Sequence, residues 1–408
     1  MADDLLFWCD VRKNINAAQL VIGLNTLLAG GDSKGANGCI SDKTIGTVRT
    51  ELRLLKGCVL IRCKHDAREQ NKEAHRIITF NDLKLKPDSC NGLKMSLGEE
   101  LHMRLQMTSD NGTDVMDRET LMVKEERNSL QAVTLNLTCR TCENPILSTV
   151  RFSRVLDLPS ESWEQLSKDL CCHGTSLPEA YTSLNPSQDD CLLGSYYIVV
   201  HPSSLEAKNI IITQSETTIH CGRCRKSLGN LIIQQQYPGQ ADVSGIQLNK
   251  HCIISRNSDV FRNYSFETYI TRCLKSKLQG KVNFKFCLQS HHGGKTKTHA
   301  LLWLMNSDAV IVSNLTPGIN TYGFHPKEEK RKNGKNSKSE NEASLTNVMK
   351  ILYKALPKNM SSKAGTVETL SLPEQDCLQL LLLLAKSTLS IPPSLRHITG
   401  YTVGFLRT

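Results

Sequence analysis

Apolar and polar residues alternate in short runs along most of the chain, and this pattern favours strands over helices. In residues 101–107 (LHMRLQM), apolar side chains recur at every second position, as in a strand with one buried face. Such runs predict strands within residues 18–29, 52–61, 76–85, 93–107, 130–137, 150–158, 196–201, 209–213, 217–220, 281–289, 299–312 and 397–406. We therefore expect an α+β fold that is mostly β.

Helices are instead predicted within residues 265–278, 345–356 and 374–386. The last of these has a clear start, because Ser371 and Glu374 have the spacing of a capping box. The sequence that follows, CLQLLLLLAK, is apolar nearly all round. This pattern predicts a terminal helix that is buried on several sides.

Changes of composition suggest how the chain is divided. Residues 108–127 are polar and charged and are expected to form a surface loop. We expect a β-rich region stapled by two Cys-x-x-Cys pairs (zinc knuckles), followed by a smaller α+β C-terminal domain. The expected segments are an N-terminal β-rich region (1–107), a CxxC-stapled β region (128–240), an α+β segment (245–324), a charged linker (325–342) and a C-terminal segment of helix and strand (343–408).

Charge and hydropathy exclude several classes of protein. The 50 Lys and Arg residues exceed the 40 Asp and Glu residues by only ten in a chain of 408, too few for a dedicated nucleic-acid binder. Residues 378–385 form the longest apolar stretch, well short of the roughly 18 residues that span a bilayer. The N-terminus lacks the basic and apolar regions of a secretory signal. We therefore expect an intracellular protein that binds neither membrane nor nucleic acid directly.

The chain has sixteen cysteines, and without a secretory signal these predict thiols or metal ligands rather than disulfides. Cys139 and Cys142 form one Cys-x-x-Cys pair, and Cys221 and Cys224 form another. Each pair follows a strand-like run and enters a polar turn, which is how two knuckles bind one structural Zn²⁺. Two unrelated surface turns, a pair that has lost its metal, or a redox pair would show the same spacing.

A second group of cysteines lies between these pairs. Trp163, Leu166 and Leu170 have helical spacing, and this predicted helix leads into Cys171-Cys172-His173. A turn-rich stretch then leads to Asp189-Asp190-Cys191. An exposed thiol beside a histidine can act as a nucleophile or metal ligand, whereas buried cysteines beside a loop would be packing residues. Cys377 could likewise be either a reactive thiol or a buried packing residue. It lies at the start of the terminal helix, where the helix dipole favours a thiolate.

These segments resemble one known family. The motifs are LDLPSESWEQLSKDLCCHG, DDCLLGSYYIVV, CGRC, ALLWLMNSD, SLPEQDCLQLLLLLAKS and SLRHITGYTVGFLRT. Together they are similar to the HECT-like E3 ubiquitin ligase family, which binds a cyclin-directed ubiquitin-conjugating enzyme. The resemblance implies ubiquitin transfer to protein substrates of the cyclin type. It places the conjugating-enzyme contact near residues 245–273 and the HECT-like part near residues 367–408, where Cys377 is the candidate nucleophile.

The 158–191 segment also resembles an inhibitory motif that inserts into a zinc-dependent endonuclease of the metallo-β-lactamase type. That enzyme cleaves pre-mRNA during 3′-end processing. A cysteine thiolate would bind the nuclease zinc and displace the attacking water. Such a role implies action in the nucleus as well as the cytoplasm. A third interpretation is that the protein is an adaptor that needs no reactive thiol. The candidate residues of the inserting motif are Cys172, Cys171, Cys191, His173 and Asp190.

Overall fold

The protein is described by a computed structural model, and the part of the chain that it describes is mostly strand and contains three α-helices. The described residues are 6–23, 48–55, 58–65, 73–80, 84–86, 89–96, 100–108, 118–158, 185–213, 217–237, 240–278, 284–314, 344–356 and 367–408. The helices are α1 (Arg118–Ala132), α2 (Phe266–Leu278) and α3 (Glu374–Leu389). None of the helices described is long and apolar enough to cross a membrane.

Two compact units divide the chain. Unit 1 comprises Met1–Gly112, Leu302–Ala355 and Leu381–Arg407, and unit 2 comprises Thr113–Leu301, Leu356–Leu380 and Thr408. The strands that lie mostly in unit 1 are β1 (Phe7–Arg12), β2 (Ala17–Gly23), β3 (Val48–Leu55), β4 (Cys58–His65), β5 (Glu73–Thr79), β6 (Asn91–Ser96), β7 (Glu100–Gln106), β19 (Lys295–Ser313), β20 (Ser344–Ala355), β22 (His397–Ile398) and β23 (Tyr401–Arg407).

Unit 1 is built on a large sheet with the strand order β22-β23-β20-β19-β1-β2-β7-β6. A smaller antiparallel sheet, β3-β4-β5, contributes Val59 and Ile61 to a core that also contains Leu20 and Leu105 of the large sheet. Alternate positions of β1, β2 and β20 face a second cluster around Trp8, which includes Val21 and Val348. The large sheet is therefore covered by apolar side chains on both faces.

Unit 2 contains α1, α2 and two further sheets. Its strands are β8 (Leu135–Cys139), β9 (Pro145–Val150), β10 (Arg154–Asp157), β11 (Asp190–Leu193), β12 (Tyr197–Val200), β13 (Ile210–Thr213), β14 (Thr218–Cys221), β15 (Ser227–Tyr237), β16 (Gln240–Asn249), β17 (Ile253–Ser255), β18 (Lys285–His292) and β21 (Glu368–Ser371). One sheet has the order β10-β11-β12-β16-β15-β14-β13, and the other has the order β17-β8-β9. Strands β18 and β21 belong to neither of these sheets and pair with each other in parallel. A single apolar core contains side chains from both sheets, and it includes Cys139 and Cys221.

The α+β, mostly β fold expected from the sequence is confirmed, but two elements differ. Residues 345–356 were expected to be helical and instead lie in β20. Val348 and Met349 point to opposite faces of the sheet and are both buried, so this central strand lacks the alternation that marks a half-buried strand. Within the expected loop 108–127, the structure places the start of α1, because Glu, Arg, Lys, Leu and Met are good helix formers even in a polar stretch.

Helix α3 also departs from expectation in its surroundings. Leu378, Leu382 and Leu389 are 54%, 55% and 69% exposed, so one side of this helix faces solvent rather than core. The helix starts later than the predicted capping box requires, since the N–H of Cys377 donates to the Pro373 carbonyl (3.0 Å) in its first turn. Ser371 ends β21, and its hydroxyl lies 3.2 Å from Nε2 of His291.

Candidate functional site

The two Cys-x-x-Cys pairs each follow a strand, as their sequence context predicts. Strand β8 ends at Cys139 and strand β14 ends at Cys221. The chain then turns in the same way at both places. The N–H of Cys139 donates to the Asn144 carbonyl (2.8 Å), and the N–H of Cys221 donates to the Lys226 carbonyl (2.9 Å). The two turns are therefore equivalent knuckles that present their thiols alike.

The turn conformation explains how each knuckle closes. Glu143 and Arg225 follow the second cysteine of their knuckles and have left-handed backbones, with φ of 59° and 62°. Their N–H groups donate to the carbonyls of Cys139 (2.8 Å) and Cys221 (2.9 Å). Left-handed backbone is uncommon for residues other than glycine, and two such residues at matching positions indicate a constrained turn.

The four sulfurs lie close enough to bind one ion. Sγ of Cys139 is 3.6 Å from Sγ of Cys224, and Sγ of Cys142 is 3.5 Å from Sγ of Cys221. All four sulfurs lie within 4.8 Å of one another. A tetrahedral Zn²⁺ with Zn–S bonds of about 2.3 Å separates its sulfurs by about 3.8 Å. The cluster can hold a metal ion, and its size and all-sulfur donor set fit zinc.

Neighbouring groups favour a thiolate at Cys221, whereas burial raises the pKa values of Cys139 and Cys142. Burial alone would raise the pKa of Cys221, but N–H groups of Cys224 and Arg223 donate to its sulfur and bring the pKa down to about 7. The amide of Asn144 also donates to Sγ of Cys221 (3.6 Å) and to the Asn209 carbonyl (2.9 Å). Asn144 belongs to the first knuckle, so this side chain joins the two knuckles directly.

Cys377 lies in a different environment. It is 0% exposed at the start of α3, and its thiol donates to the carbonyls of Gln289 (3.5 Å) and Leu372 (3.6 Å). Burial, followed by the charge of Asp376, raises the pKa of Cys377 to about 12. In this arrangement the thiol is protonated at neutral pH and out of reach of another protein.

The 158–191 segment is described only at its two ends, and Cys171, Cys172 and His173 lie outside the described residues. At the C-terminal end, Asp190 is buried and binds Arg154 through two hydrogen bonds of 2.8 and 2.6 Å. Cys191 is fully buried, which raises the pKa of its thiol to about 12. Neither Asp190 nor Cys191 is free to reach a partner in this arrangement.

The segment leaves the sheet at an edge strand. Strand β10, which precedes the segment, is the first strand of its sheet, and it pairs in parallel with β11, which follows the segment. The N–H of Leu158 donates to the Leu193 carbonyl (2.9 Å). Both ends of the segment are therefore fixed to the same sheet edge.

The stretch in which a conjugating-enzyme contact was expected, residues 245–273, is mostly buried. Within it, Lys250, Ile253 and Ile270 are 0% exposed. Its exposed side chains are concentrated in the loop of residues 256–265, which we call the 256–265 loop. Any contact with a partner through this stretch has to use that loop.

The sequence reasoning missed two features of this site. One is Arg140, whose side chain leaves the first knuckle and reaches the 256–265 loop. The other is the pair His251 and Cys252, in which Nε2 lies 3.2 Å from Sγ. The position of Arg140 between two expected metal ligands was a sequence signal for its role. The contact between His251 and Cys252, by contrast, has no sequence signature.

Comparison with known proteins decides the family. A family model described as HECT-like ubiquitin-conjugating enzyme (E2)-binding matches residues 10–403. The chain belongs to the HECT-like E2-binding family. This confirms the resemblance noted from the cysteine motifs, and it gives the protein a role in the ubiquitin pathway with a ubiquitin-conjugating enzyme as its partner class.

Curated relatives agree with this HECT-like E2-binding assignment. The chain is 27% identical to E3 ubiquitin-protein ligase E3D of Homo sapiens over 354 residues, which cover 80% of this chain and 85% of the human protein. It is 26% identical to the Mus musculus protein of the same name over 412 residues, covering 98% and 96% of the two chains. An uncharacterized protein of Saccharomyces cerevisiae is 29% identical over 108 residues, or 25% of this chain and 30% of the yeast protein. Comparison with solved structures gave no significant match.

Proposed function

We propose that this HECT-like protein is an E3 ubiquitin ligase that recruits a ubiquitin-charged conjugating enzyme and promotes transfer of ubiquitin to a substrate lysine. The observation that carries the proposal is the family match over residues 10–403. In the transfer, the lysine amine attacks the thioester carbonyl and a C–N isopeptide bond forms. The C–S bond breaks, and the sulfur leaves as a thiolate that takes up the proton released by the amine.

The thioester that reacts is, in this proposal, the one on the conjugating enzyme. A ligase that forms its own thioester needs an accessible thiolate. The buried setting of Cys377 and its raised pKa speak against that residue as the acceptor. The protein then acts by binding the charged enzyme and orienting its thioester toward the substrate.

A single-turnover assay tests this mechanism. The conjugating enzyme is charged with ubiquitin, mixed with the protein and followed on non-reducing gels, with Cys377→Ala beside the wild type. Cys287→Ala is the matched control, since Cys287 is also a buried cysteine of unit 2. We expect faster discharge with no thiol-sensitive ubiquitin adduct, and equal rates in both variants. An adduct that disappears only in Cys377→Ala would refute direct transfer and establish Cys377 as the nucleophile.

The metal in the four-cysteine cluster is, in our proposal, a structural Zn²⁺. Four thiolates leave no open position for chemistry, so the ion would stabilise the fold of unit 2 rather than act on substrate. Elemental analysis should find about one zinc per chain. A Cys139→Ser variant should lose that metal, whereas Cys273→Ser, which changes a buried cysteine on α2, should retain it. A folded wild type without metal would refute the assignment.

A second proposed function is inhibition of the zinc-dependent endonuclease of pre-mRNA 3′-end processing. The observation that favours it is the attachment of both ends of the 158–191 segment to one edge of a sheet. This arrangement is suited to presenting a short segment to a partner. Because Cys191 and Asp190 are engaged in the fold, the inserting thiol falls to Cys172 or Cys171, with His173 beside them.

Nuclease inhibition by variants tests this second function. Cys172→Ser and Cys171→Ser are measured singly and together against cleavage of an RNA substrate, with Cys90→Ser as the control because Cys90 is exposed in unit 1. We expect the double variant to lose inhibition while its folding and ubiquitin discharge are unchanged. Full inhibition by the double variant would refute insertion by these cysteines. Cyclin-type substrates and action in both cytoplasm and nucleus belong to the same proposals, and fractionation with substrate ubiquitination assays tests them.

A further inference from the structure

The side chain of Lys226 connects the second knuckle to the first turn of α3. Lys226 is the second residue after Cys224, and its carbonyl closes the knuckle by accepting the N–H of Cys221 (2.9 Å). Its ammonium donates to the Asp376 carboxylate (2.5 Å). All of these residues belong to unit 2. One residue therefore completes the metal-binding turn with its backbone and binds the start of α3 with its side chain.

This ion pair is buried on the α3 side. Asp376 is 4% exposed, and the side chain of Lys226 is 21% exposed. A carboxylate taken out of water needs a cation or hydrogen-bond donors close by, so loss of Lys226 would destabilise the closed turn. A second ion pair on the same turn, Lys297 with Glu374 (2.5 Å), has side chains that are 59% and 47% exposed. Exposed pairs contribute little to stability, so the buried pair is the one that holds the turn.

The turn held in this way also covers Cys377. The N–H groups of Asp376 and Cys377 both donate to the Pro373 carbonyl, at 2.9 and 3.0 Å. The thiol of Cys377 donates to the Gln289 carbonyl (3.5 Å), which also accepts the N–H of Leu372 (3.0 Å). Residues 372–377 are thus bonded to one another and to β18. Opening of this turn would break these hydrogen bonds together and expose the sulfur, which is 0% exposed when the turn is closed.

The same ion pair lies close to the metal-binding cysteines. Cys252 is buried beside the first knuckle, where its carbonyl accepts the N–H of Arg140 (2.9 Å). Burial raises the pKa of Cys252 to about 12. The charge of Lys226 lowers this pKa again, and the charges of Asp376 and Cys224 raise it. Both members of the ion pair and one metal ligand are therefore within electrostatic range of a single buried thiol.

We propose that the ion pair of Lys226 and Asp376 is a latch between the metal cluster and α3, and that the latch controls whether the thiol of Cys377 is accessible. A bound metal fixes the second knuckle through Cys221 and Cys224, and so holds Lys226 against α3. Loss of the metal lets this knuckle relax, the ammonium withdraws, and the unpaired carboxylate favours an open first turn in which it is solvated.

The metal cluster then controls a thiol that is not one of its ligands. This half of the inference rests on the structural Zn²⁺ proposed above. The thiol of Cys377 has no part in the proposed direct transfer of ubiquitin, so the latch can be tested separately from the ligase function.

Short pulses of iodoacetamide on the metal-loaded protein, read at each cysteine by mass spectrometry, test the latch. In Lys226→Met, Cys377 should react roughly tenfold faster or more than in the wild type, because the buried carboxylate has lost its cation and the turn opens more often. Zinc content and the slow reaction of Cys273, a buried cysteine on α2, should not change. Lys226→Arg keeps the charge and should react like the wild type. Lys297→Met removes the exposed ion pair of the same turn and is the matched control, with no change expected.

The rates at Cys377 and Cys273 decide the outcome. An unchanged rate at Cys377 in Lys226→Met would overturn the latch. An equal increase in Lys297→Met, or a parallel increase at Cys273, would overturn it as well, since a general loosening of unit 2 would then expose the thiol. Should Lys226→Met fail to fold, Lys226→Gln, which removes the charge but keeps a polar side chain, replaces it.

Removal of the metal with a chelator tests the control by the cluster. In the wild type, Cys377 should become reactive while Cys273 stays slow, and added Zn²⁺ should restore the slow rate. In Lys226→Met, which lacks the latch, chelation should change the Cys377 rate by less than about threefold, because the two perturbations act through the same contact. Equal effects of chelation in both proteins, or exposure of Cys273 together with Cys377, would overturn control by the metal. A wild type that holds no zinc would overturn the metal assignment, and the Lys226→Met comparison would still decide the ion pair.

Discussion

The buried cation Lys250 allows a quantitative prediction for the stability of unit 2. Its side chain is 0% exposed, and its ammonium lies 2.7 Å from the Glu126 carboxylate and 3.3 Å from the Tyr264 hydroxyl. Burial lowers the pKa of Lys250, and Glu126 opposes that shift. We therefore expect Glu126→Gln to leave an uncompensated charge in the core.

The expected loss of stability in Glu126→Gln follows from the distance between the two charges and from their burial. Two unit charges 2.7 Å apart attract by about 6 kcal/mol at an effective dielectric constant of about 20. Desolvation of both groups offsets much of that attraction, so the pair adds little net stability. Removing one partner, however, leaves the other desolvated and unpaired, which costs about 3–5 kcal/mol. The double variant Lys250→Met/Glu126→Gln should lose less than about 2 kcal/mol, because neither charge of this pair then remains buried.

Hydrogen exchange in increasing urea measures these costs within unit 2. Amides of β12 and β16 report the opening of the sheet that precedes Lys250 in the chain. Glu125→Gln is the matched control, since Glu125 is an exposed neighbour on the same helix and its loss should change stability by less than about 0.5 kcal/mol. The reasoning is refuted if Glu126→Gln costs less than about 1 kcal/mol, or if the double variant is less stable than Glu126→Gln alone.

Three further predictions concern other positions of unit 2. A Cβ on Gly229 would lie 1.8 Å from the Gln247 carbonyl oxygen, so Gly229→Ala should cost about 3 kcal/mol or more and lower the melting temperature; an unchanged melting temperature would contradict that contact. Burial lowers the pKa of His251 to about 3, so the unfolded chain binds a proton below about pH 6.5 that the folded chain does not, and stability falls as the pH decreases through this window. In His251→Phe the slope of unfolding free energy against pH should be smaller by up to about 1.4 kcal/mol per pH unit, and parallel curves would contradict a buried neutral imidazole. Asp190→Asn removes the carboxylate that binds Arg154 and should cost about 2 kcal/mol in urea unfolding, with no loss expected in Arg151→Gln as a control.

The sequence predicted the features that depend on local pattern and ligand chemistry. The two knuckles form where Cys139 and Cys221 end strands, and helices begin close to residues 266 and 374, as expected from spacing. Ligand spacing is informative because a metal accepts few arrangements, whatever the distance between the knuckles in the chain. For this reason the convergence of four cysteines was predictable, although the sheets between them were not.

The features that sequence reasoning missed depend on tertiary contacts. Strand β20 is buried on both faces, so its apolar residues recur without alternation and fit a helical period equally well. Helix α1 buries Leu130 in the core of unit 2, and its Glu126 contacts Lys250, which lies far along the chain. The burial of Cys377 depends on carbonyls of Gln289 and Leu372 that no local pattern reveals. Helix or strand propensity and hydrophobic period describe one segment alone. The structures of these three segments were decided instead by the residues packed against them.

The equivalence of the two knuckles also has a consequence for how the chain reaches its native state. Cys142 and Cys221 are 79 residues apart, so a metal that joins them closes a long loop in the unfolded chain. In the chain-entropy treatment of cross-links, closing a loop of that length disfavours the unfolded ensemble by about 4–5 kcal/mol, which is comparable to the stability of a small domain. Either knuckle alone can take up an ion early through two thiolates. The second pair, however, has to arrive across 79 residues in competition with the chain's other cysteines, so folding in limited or excess metal is expected to populate misligated states.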